Sequence, residues 1–139
     1  MDDWALENRV WKLRQVPLFS ELSKDSLQRI AEMMDAMEAD AGEVLVQPNQ
    51  EASGMFVIEE GIVAIEVRGK RIKDMSRGEF FGELALLYPH AARTARVVAK
   101  TPVRCLTISR DSFTTMVESE PKVALSMLSV LARRLAESN

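Results

Sequence analysis

A glycine-punctuated stretch from Gly78 to Leu87, followed by Arg93, contains the residues whose types and spacing point most clearly to chemistry. A short helix beginning near Glu83 would leave its first N–H groups without partners inside the helix, and such groups attract an anion. The planar guanidinium of Arg93 suits a phosphate. An ionised Glu83 can only accept hydrogen bonds, so beside a phosphate it requires hydroxyl donors. A phosphate joined to a sugar hydroxyl describes a nucleotide.

The same two charged residues also have a purely structural interpretation. Glu83 in a first helical turn stabilises the helix dipole, and Arg93 would then be its salt-bridge partner. Residue types and spacing alone leave both interpretations open.

Composition limits the classes of protein to consider. The chain has 139 residues and a formal net charge of −3, which suits one domain without a broad basic face, so nucleic acid is not expected as a direct partner. The single cysteine, Cys105, excludes an internal disulfide and fits a reducing compartment. No apolar run approaches the roughly 20 residues that span a bilayer. We therefore predict a cytoplasmic protein that does not insert into a membrane.

The first 39 residues show helical spacing of apolar side chains. Residues 3–16 predict a helix on which Trp4 and Trp11 share a face; we favour packing of this face on the body of the domain over docking of a partner. Ser23 is predicted to cap the N-terminus of a second helix. Its apolar residues at helical spacing are Leu27, Ile30, Ala31, Met34 and Met37.

Residues 40–109 change to an alternating pattern, with glycines at the predicted turns. Closely spaced short strands of this kind predict a small barrel or sandwich. Residues 68–70 predict a tight hairpin between two of the strands. We divide the chain into an N-terminal helical segment at 1–39, the strands at 40–109 and C-terminal helices at 110–139, all within one domain.

The terminal helix is predicted to start at Pro121, where the missing N–H has no cost. An apolar seam follows at helical spacing, formed by Ala124, Leu128, Leu131 and Leu135. The stripe is wide enough to pack on the barrel and also to contact a second copy, which is compatible with a homodimer through this helix.

The residue order Phe81-Gly82-Glu83-Leu84-Ala85-Leu86, followed by Arg93-Thr94-Ala95, resembles the phosphate-binding cassette of the cyclic nucleotide-binding domain family. That family includes the catabolite activator protein and the regulatory subunits of cyclic-AMP-dependent kinase. The cassette corresponds to residues 78–95. The resemblance implies a mainly β fold: a jelly-roll barrel with N-terminal helices, a C-terminal lid helix, and glycines at the barrel corners.

The resemblance also implies a ligand, cyclic AMP or cyclic GMP, and assigns roles to three side chains. Arg93 would bind the cyclic phosphate, and Glu83 would accept a hydrogen bond from the ribose 2′-hydroxyl. Thr94 can contact the phosphate or a guanine amino group, and threonine at this position is associated with cyclic GMP.

Further ligand contacts follow from the same resemblance. Backbone N–H groups around Gly82, Leu84 and Ala85 would complete the phosphate cradle. Ile65 and Ile72 fall where the family places apolar contacts to the base, although alternating strand residues of this kind also serve as core.

The sequence departs from the family pattern at three places. Ala92 replaces the proline that usually precedes the arginine, and the loop between Leu87 and Arg93 is one residue longer. Arg96 replaces a small hydroxyl or aromatic residue; on an alternating strand it shares a face with Thr94, so it either approaches the ligand or reaches solvent. If the register of the resemblance differs, Arg96 is a second candidate phosphate ligand. In the activator branch, base contacts come shortly after the position of Arg133-Arg134-Leu135. In this sequence the corresponding base contacts would fall at 138–139. We therefore expect either a lid helix that barely reaches the base or a protein that continues beyond this chain.

An enzyme is not expected, and we predict no catalytic residues, metal or cofactor beyond the nucleotide ligand. The one histidine, His90, lies in a predicted loop and cannot support a metal site of several histidines. The sequence contains no nucleophile elbow and no Walker-type glycine loop.

The resemblance therefore implies a regulatory module. Ligand binding would shift the position of the C-terminal helix and so act on an output domain or a separate effector protein. The alternative from another class is a degenerate module of the same fold that binds protein through the Trp4/Trp11 face or the Leu128/Leu131/Leu135 face.

Overall fold

The computed structural model describes residues 2–48, 54–87 and 95–137. The chain forms two compact units. The barrel unit comprises residues 34–113, and the helical unit comprises residues 1–33 together with 114–139.

Among its described residues, the barrel unit contains eight antiparallel strands in two four-stranded sheets. The strands are β1 (Met34–Ala39), β2 (Val44–Val46), β3 (Gly54–Glu60), β4 (Val63–Val67), β5 (Lys70–Met75), β6 (Phe80–Phe81), β7 (Ala95–Ala99) and β8 (Val103–Ser109). One sheet has the order β1-β8-β3-β6 and the other β2-β7-β4-β5. Antiparallel strands arranged in two sheets with these orders form a jelly roll, which confirms the predicted fold class.

The corners of the barrel lie at glycines, as predicted. Gly42, Gly61, Gly78 and Gly82 all have positive φ angles, between 87° and 94°. The predicted hairpin joins β4 to β5. Its two turn residues, Arg68 and Gly69, both have positive φ, the backbone pattern that matches the twist of tightly connected strands.

Alternate side chains of both sheets point inward and form the barrel core. Its buried members are Ala39, Val46, Ile58, Val63, Met75, Phe81, Val97, Ala99, Val103 and Cys105. Cys105 is fully buried in this core. Burial raises the pKa of the Cys105 thiol to about 11, and the charge of Glu59 acts in the same direction. The thiol is therefore protonated and shielded at neutral pH.

The helical unit is built from helices with well-formed starts. Its elements are α1 (Asp3–Arg14), a 3-10 turn (Pro17–Phe19), α2 (Lys24–Met33), most of α4 (Arg110–Ser119) and all of α5 (Pro121–Glu137). The short helix α3 (Leu84–Leu87) belongs to the barrel unit. Asp2 caps α1 by accepting a 2.7 Å hydrogen bond from the Ala5 N–H. Ser23 caps α2 as predicted, since its hydroxyl accepts from the Ser26 N–H at 3.2 Å. No helix within the described ranges is long and apolar enough to span a bilayer.

The predicted helical pattern is wrong beyond Met33. Met34 and Met37 lie on β1, where they pair with Ile108 and Cys105 of β8. Their spacing fits a helix, but pairing with a strand far along the chain determines the backbone here. The strands of the barrel therefore begin at residue 34 rather than at residue 40.

The favoured interpretation of the two tryptophans is also wrong. Trp4 is 75% exposed and Trp11 is 59% exposed. The inward face of α1 instead presents Val10 and Leu13, which are buried. Residues seven apart share a helix face, so the two tryptophans together form an outward-facing aromatic surface.

The inward stripe of α5 differs from the predicted seam. Val123 and Met127 are buried, whereas Leu128 and Leu135 of the predicted seam are exposed, together with Leu125. The buried stripe thus lies one residue toward the N-terminus of the predicted one.

Candidate functional site

Glu83 lies at the junction between β6 and α3. Its carbonyl oxygen accepts hydrogen bonds from the N–H groups of Leu86 at 3.0 Å and Leu87 at 2.9 Å. These are the first hydrogen bonds of α3, so the helix begins directly after Glu83, as predicted. The N–H groups of Leu84 and Ala85 precede the first helical donor, and in such positions they have no acceptor within the helix.

The turn before Glu83 depends on glycine. Gly82 has a φ of +93°, and a Cβ added there would lie 2.9 Å from the carbonyl oxygen of Gly54. Gly54, at the start of β3, is equally constrained, because its own Cβ would lie 2.2 Å from the carbonyl oxygen of Ile108. Main chain therefore packs directly against main chain beneath the cassette. Sequence reasoning singled out Gly82 but missed Gly54, for which a glycine at the start of a strand was the available signal.

Two aromatic rings support the same junction. Phe81 of β6 pairs with Phe56 of β3. The two rings stack with centroids 4.8 Å apart and an angle of 7° between their planes. Phe81 is buried in the barrel core, so the residue two positions before Glu83 is anchored by packing.

The segment that enters β6 is tied to β3 by main-chain hydrogen bonds. The Gly78 N–H donates to the Ile58 carbonyl oxygen, and the Ile58 N–H donates to the Glu79 carbonyl oxygen, both at 2.9 Å. Within the turn, the Glu79 carboxylate accepts from the Ser76 N–H at 2.7 Å. The described part of the cassette is thus held by main-chain hydrogen bonds where it enters β6.

The Glu83 residue is only 3% exposed. Burial of a charged carboxylate is costly unless hydrogen bonds or ion pairs compensate for the lost water, and Glu83 does take part in an interaction within the structure. A carboxylate that only stabilised the helix dipole in water would be exposed. A ligand-binding carboxylate and the carboxylate of a buried ion pair would both be enclosed in this way.

Two predicted site residues, together with four other residues named from the sequence, lie outside the described residues, and no geometry is assigned to them. They are Arg93 and Thr94, together with His90, Ala92, Ser138 and Asn139.

The two predicted base contacts have different surroundings. Ile65 on β4 is half-buried and packs against the barrel core. Ile72 on β5 is exposed and lies where the pairing of β4 with β5 shifts register, between Ile65 and Glu66. Such a bulge reorients the side chain next to it.

Arg96, the second candidate phosphate ligand, forms an ion pair on the outer surface of the sheet. It lies opposite Glu66 in the pairing of β4 with β7, and its Nη1 donates to Glu66 Oε1 at 2.9 Å. Its neighbour Val97 is buried in the core. Because successive strand residues point to opposite faces, the Arg96 side chain points away from the barrel interior.

A second set of charges lies nearby on β5. Asp74 accepts hydrogen bonds from Lys100, at 3.0 Å, and from Arg71. The Lys100 contact, followed by the Arg71 guanidinium, lowers the pKa of Asp74 below its ordinary value, although partial desolvation opposes the shift. In the described part of the chain, no group of three or more His, Cys, Asp or Glu side chains could hold a metal ion.

Three curated proteins with similar sequences illustrate the relatives of this chain. Glutaminase 2 of Bradyrhizobium diazoefficiens is 32% identical over 91% of this chain, which spans 21% of that protein. The cGMP-dependent protein kinase egl-4 of Caenorhabditis briggsae is 34% identical over 76% of this chain and 15% of the kinase. The cAMP-dependent protein kinase regulatory subunit of Aspergillus fumigatus is 35% identical over 81% of this chain and 28% of that subunit. The chain thus spans less than a third of each of these proteins.

The solved structures include a close match to the fold. The regulatory subunit of a cAMP-independent protein kinase A from Trypanosoma brucei is 26% identical, with a TM-score of 0.80. The match covers 93% of this chain and 45% of that protein.

The family model described as "Cyclic nucleotide-binding domain" matches residues 36–120, which is more than half of the chain. This range begins in β1, contains β2 to β8 and the cassette, and ends at the junction of α4 with α5. The chain therefore belongs to the cyclic nucleotide-binding domain family.

Proposed function

We propose that this chain is a regulatory module that binds cyclic AMP or cyclic GMP, with residues 1–139 acting as one domain. The observation that carries the proposal is the buried Glu83 carboxylate, placed by the positive-φ Gly82 directly before α3 in a member of this family. Relatives named as cGMP-dependent and cAMP-dependent kinases support both ligands equally.

Each polar part of the ligand has a proposed partner. Glu83 accepts a hydrogen bond from the ribose 2′-hydroxyl, and Arg93 binds the cyclic phosphate. The N–H groups of Leu84 and Ala85, presented by the turn at Gly82, complete the phosphate cradle. Since backbone donors and a planar guanidinium both suit a phosphate, this division of roles satisfies the anion without a metal ion.

The apolar and specificity contacts are proposed at three positions. Ile65 and Ile72 contact the base. The half-buried Ile65 offers a fixed surface, and the exposed Ile72 becomes covered when the base binds. Thr94 contacts the phosphate or the amino group of guanine.

Binding is proposed to act through a population shift that changes the position of α5. The free energy available to the output equals the difference in ligand affinity between two states, typically about 1–3 kcal/mol. The output is a further domain or a separate effector protein, because the relatives are several times longer than this chain. The module itself is not an enzyme and acts in the cytoplasm. The exposed Leu125, Leu128 and Leu135 are a surface through which two copies would associate.

Calorimetric titration of the purified chain with cyclic AMP, and separately with cyclic GMP, tests this function. We expect saturable binding to one site per chain, and the ratio of the two affinities reports the contribution of Thr94. The absence of heat with both nucleotides, at protein concentrations that reveal micromolar binding, would contradict the proposal.

A second candidate function is favoured by the exposed aromatic surface of α1. The side chains of Trp4 and Trp11 are both largely exposed to solvent. Tryptophan is enriched among the residues that dominate binding at protein interfaces. In this alternative the chain is a protein-binding module with a degenerate pocket. A protein partner that binds equally with and without nucleotide, and loses affinity in the Trp4→Ala/Trp11→Ala variant, would support it.

A further inference from the structure

Glu120 is the single residue that joins α4 to α5, and its main chain bonds to both helices. Its N–H donates to the Met116 carbonyl oxygen at 2.9 Å, which closes the end of α4. Its own carbonyl oxygen accepts from the N–H groups of Val123 at 3.0 Å and Ala124 at 3.4 Å, which opens α5. Pro121 follows, with a φ fixed by its ring. The direction in which α5 leaves α4 therefore depends on the conformation at Glu120.

The Glu120 carboxylate is held by an arginine from a distant helix. Arg29 of α2 donates through Nη2 to Glu120 Oε1 at 3.0 Å. The Glu120 side chain is 10% exposed and the Arg29 side chain is 60% exposed, so the anion is enclosed while the cation remains partly in water. All of these residues belong to the helical unit.

The Arg29 side chain is also held by a residue in the first turn of α2. The same Nη2 lies 3.1 Å from the hydroxyl oxygen of Ser26. Ser26 in turn donates its N–H to the capping hydroxyl of Ser23 at 3.2 Å. A continuous set of hydrogen bonds thus leads from the cap of α2 to the joint between α4 and α5.

We propose that Arg29 is a positioning residue that holds this joint through Glu120 and so sets the equilibrium between positions of α5. The inference rests on the proposed function, in which ligand binding changes the position of α5. A half-solvated ion pair is weak enough to break during such a change, yet its charge-assisted hydrogen bond is directional. Because apparent affinity depends on the fraction of chains in the binding-competent position, weakening the joint changes nucleotide affinity by at most the factor by which it shifts this equilibrium.

Hydrogen exchange without nucleotide tests the joint directly. In Arg29→Ala, and equally in Glu120→Ala, we expect the amides of Val123 and Ala124 to exchange severalfold faster, with barrel amides unchanged. The double variant should lose little more protection than either single variant, since each single variant already removes the Arg29–Glu120 hydrogen bond, and Arg29→Lys should restore part of the protection. The matched control is Arg104→Ala, which breaks the exposed Arg104–Glu38 pair of the barrel unit and should leave α5 unaffected. Unchanged exchange in Arg29→Ala, or additive effects in the double variant, would overturn the proposal.

Nucleotide titration then tests the coupling. We expect a severalfold change in the dissociation constant, equal in the two single variants and absent in Arg104→Ala, with melting temperatures measured in parallel. Faster exchange combined with unaltered affinity would overturn the positioning role, because the joint would then be structural only. If the wild-type chain binds neither nucleotide, the proposed function fails, while the exchange result still decides whether Arg29 holds the joint.

Discussion

Arg96 donates a hydrogen bond to Glu66 across the paired strands β4 and β7, with 2.9 Å between Nη1 and Oε1. The pair lies on the outer surface of the sheet, and both side chains are partly exposed. An ion pair of this kind stabilises the fold by only about 0–1 kcal/mol. Its larger effect is to hold a cation three residues after Arg93 on the side of the strand opposite the core.

The two arginines are therefore expected to differ in their effect on nucleotide affinity. Arg93→Ala should weaken binding of cyclic AMP and cyclic GMP by at least tenfold, because a charged hydrogen bond to the phosphate is lost. Arg96→Ala should leave affinity within about twofold of wild type, because partly exposed ion pairs contribute little. Calorimetric titration of both variants measures the difference. A larger loss in Arg96→Ala than in Arg93→Ala would show that the phosphate ligand is Arg96.

Glu83→Gln should reduce affinity for cyclic AMP, because the neutral amide is a weaker acceptor for the ribose hydroxyl. Loss of a hydrogen bond to a charged group costs about 1.5–3 kcal/mol, or roughly tenfold to a hundredfold in the dissociation constant. The 2′-deoxy analogue of cyclic AMP supplies the second half of a double-mutant cycle. If Glu83 contacts the 2′-hydroxyl, removing both groups should cost little more than removing one.

The matched control for Glu83→Gln is Glu66→Gln, which removes a carboxylate from the outer surface of the sheet. It should leave nucleotide affinity unchanged. Additive losses for Glu83→Gln and the 2′-deoxy ligand would place the 2′-hydroxyl elsewhere in the site.

Gly82→Ala should destabilise the chain more than Gly42→Ala. The two glycines have nearly the same φ, +93° and +92°, so the conformational cost of about 1–2 kcal/mol applies to both. A Cβ at Gly42 has nothing within 4 Å, whereas one at Gly82 would lie 2.9 Å from the Gly54 carbonyl oxygen. Urea unfolding of the two variants isolates the cost of that close approach. Equal losses of stability would show that the β6–α3 turn can relax around a methyl group.

Cys105 should make the chain sensitive to alkaline pH. The thiol has a pKa of about 11 in the folded chain, raised by burial above its ordinary value of 9.0. Since the folded state then binds the proton more tightly, this contribution to stability is complete below pH 9 and is lost as the pH rises through 11. The loss amounts to about 3 kcal/mol.

Comparison with Cys105→Ala isolates this effect from other groups that titrate in alkali. The free energy of unfolding of the wild type should fall more steeply between pH 9 and 11 than that of the variant. The methyl side chain adds a cost from the smaller volume, but that cost does not depend on pH. Parallel curves would show that the buried thiol does not contribute.

The strands of the barrel were predictable because two signals agreed along most of residues 44–109. Apolar residues alternate, and glycines with positive φ stand at the corners. The boundary at Met34 was not predictable in this way, since Met34 and Met37 fit a helical pattern and a strand equally. Only the pairing of β1 with β8 decides between them, and that pairing depends on residues some 70 positions away.

The faces of α1 and α5 show the same limit for helices. Sequence spacing shows that Trp4 and Trp11 share a face, but tertiary contacts decide that Val10 and Leu13 face inward instead.

In the candidate site, residue order predicted that a helix begins after Glu83. The approach of Gly54 to Gly82 was not predictable, because the contact brings together two segments that are distant in the chain.

The contact between Gly54 and Gly82 has an evolutionary consequence. The turn before Glu83 brings two stretches of main chain into close contact, and that contact itself involves no side chain of the cassette. Substitutions among those side chains can therefore alter which ligand is preferred while the scaffold beneath stays the same. If the backbone contact is retained, a few amino-acid substitutions in the cassette are enough for descendants of one ancestor to differ in ligand specificity.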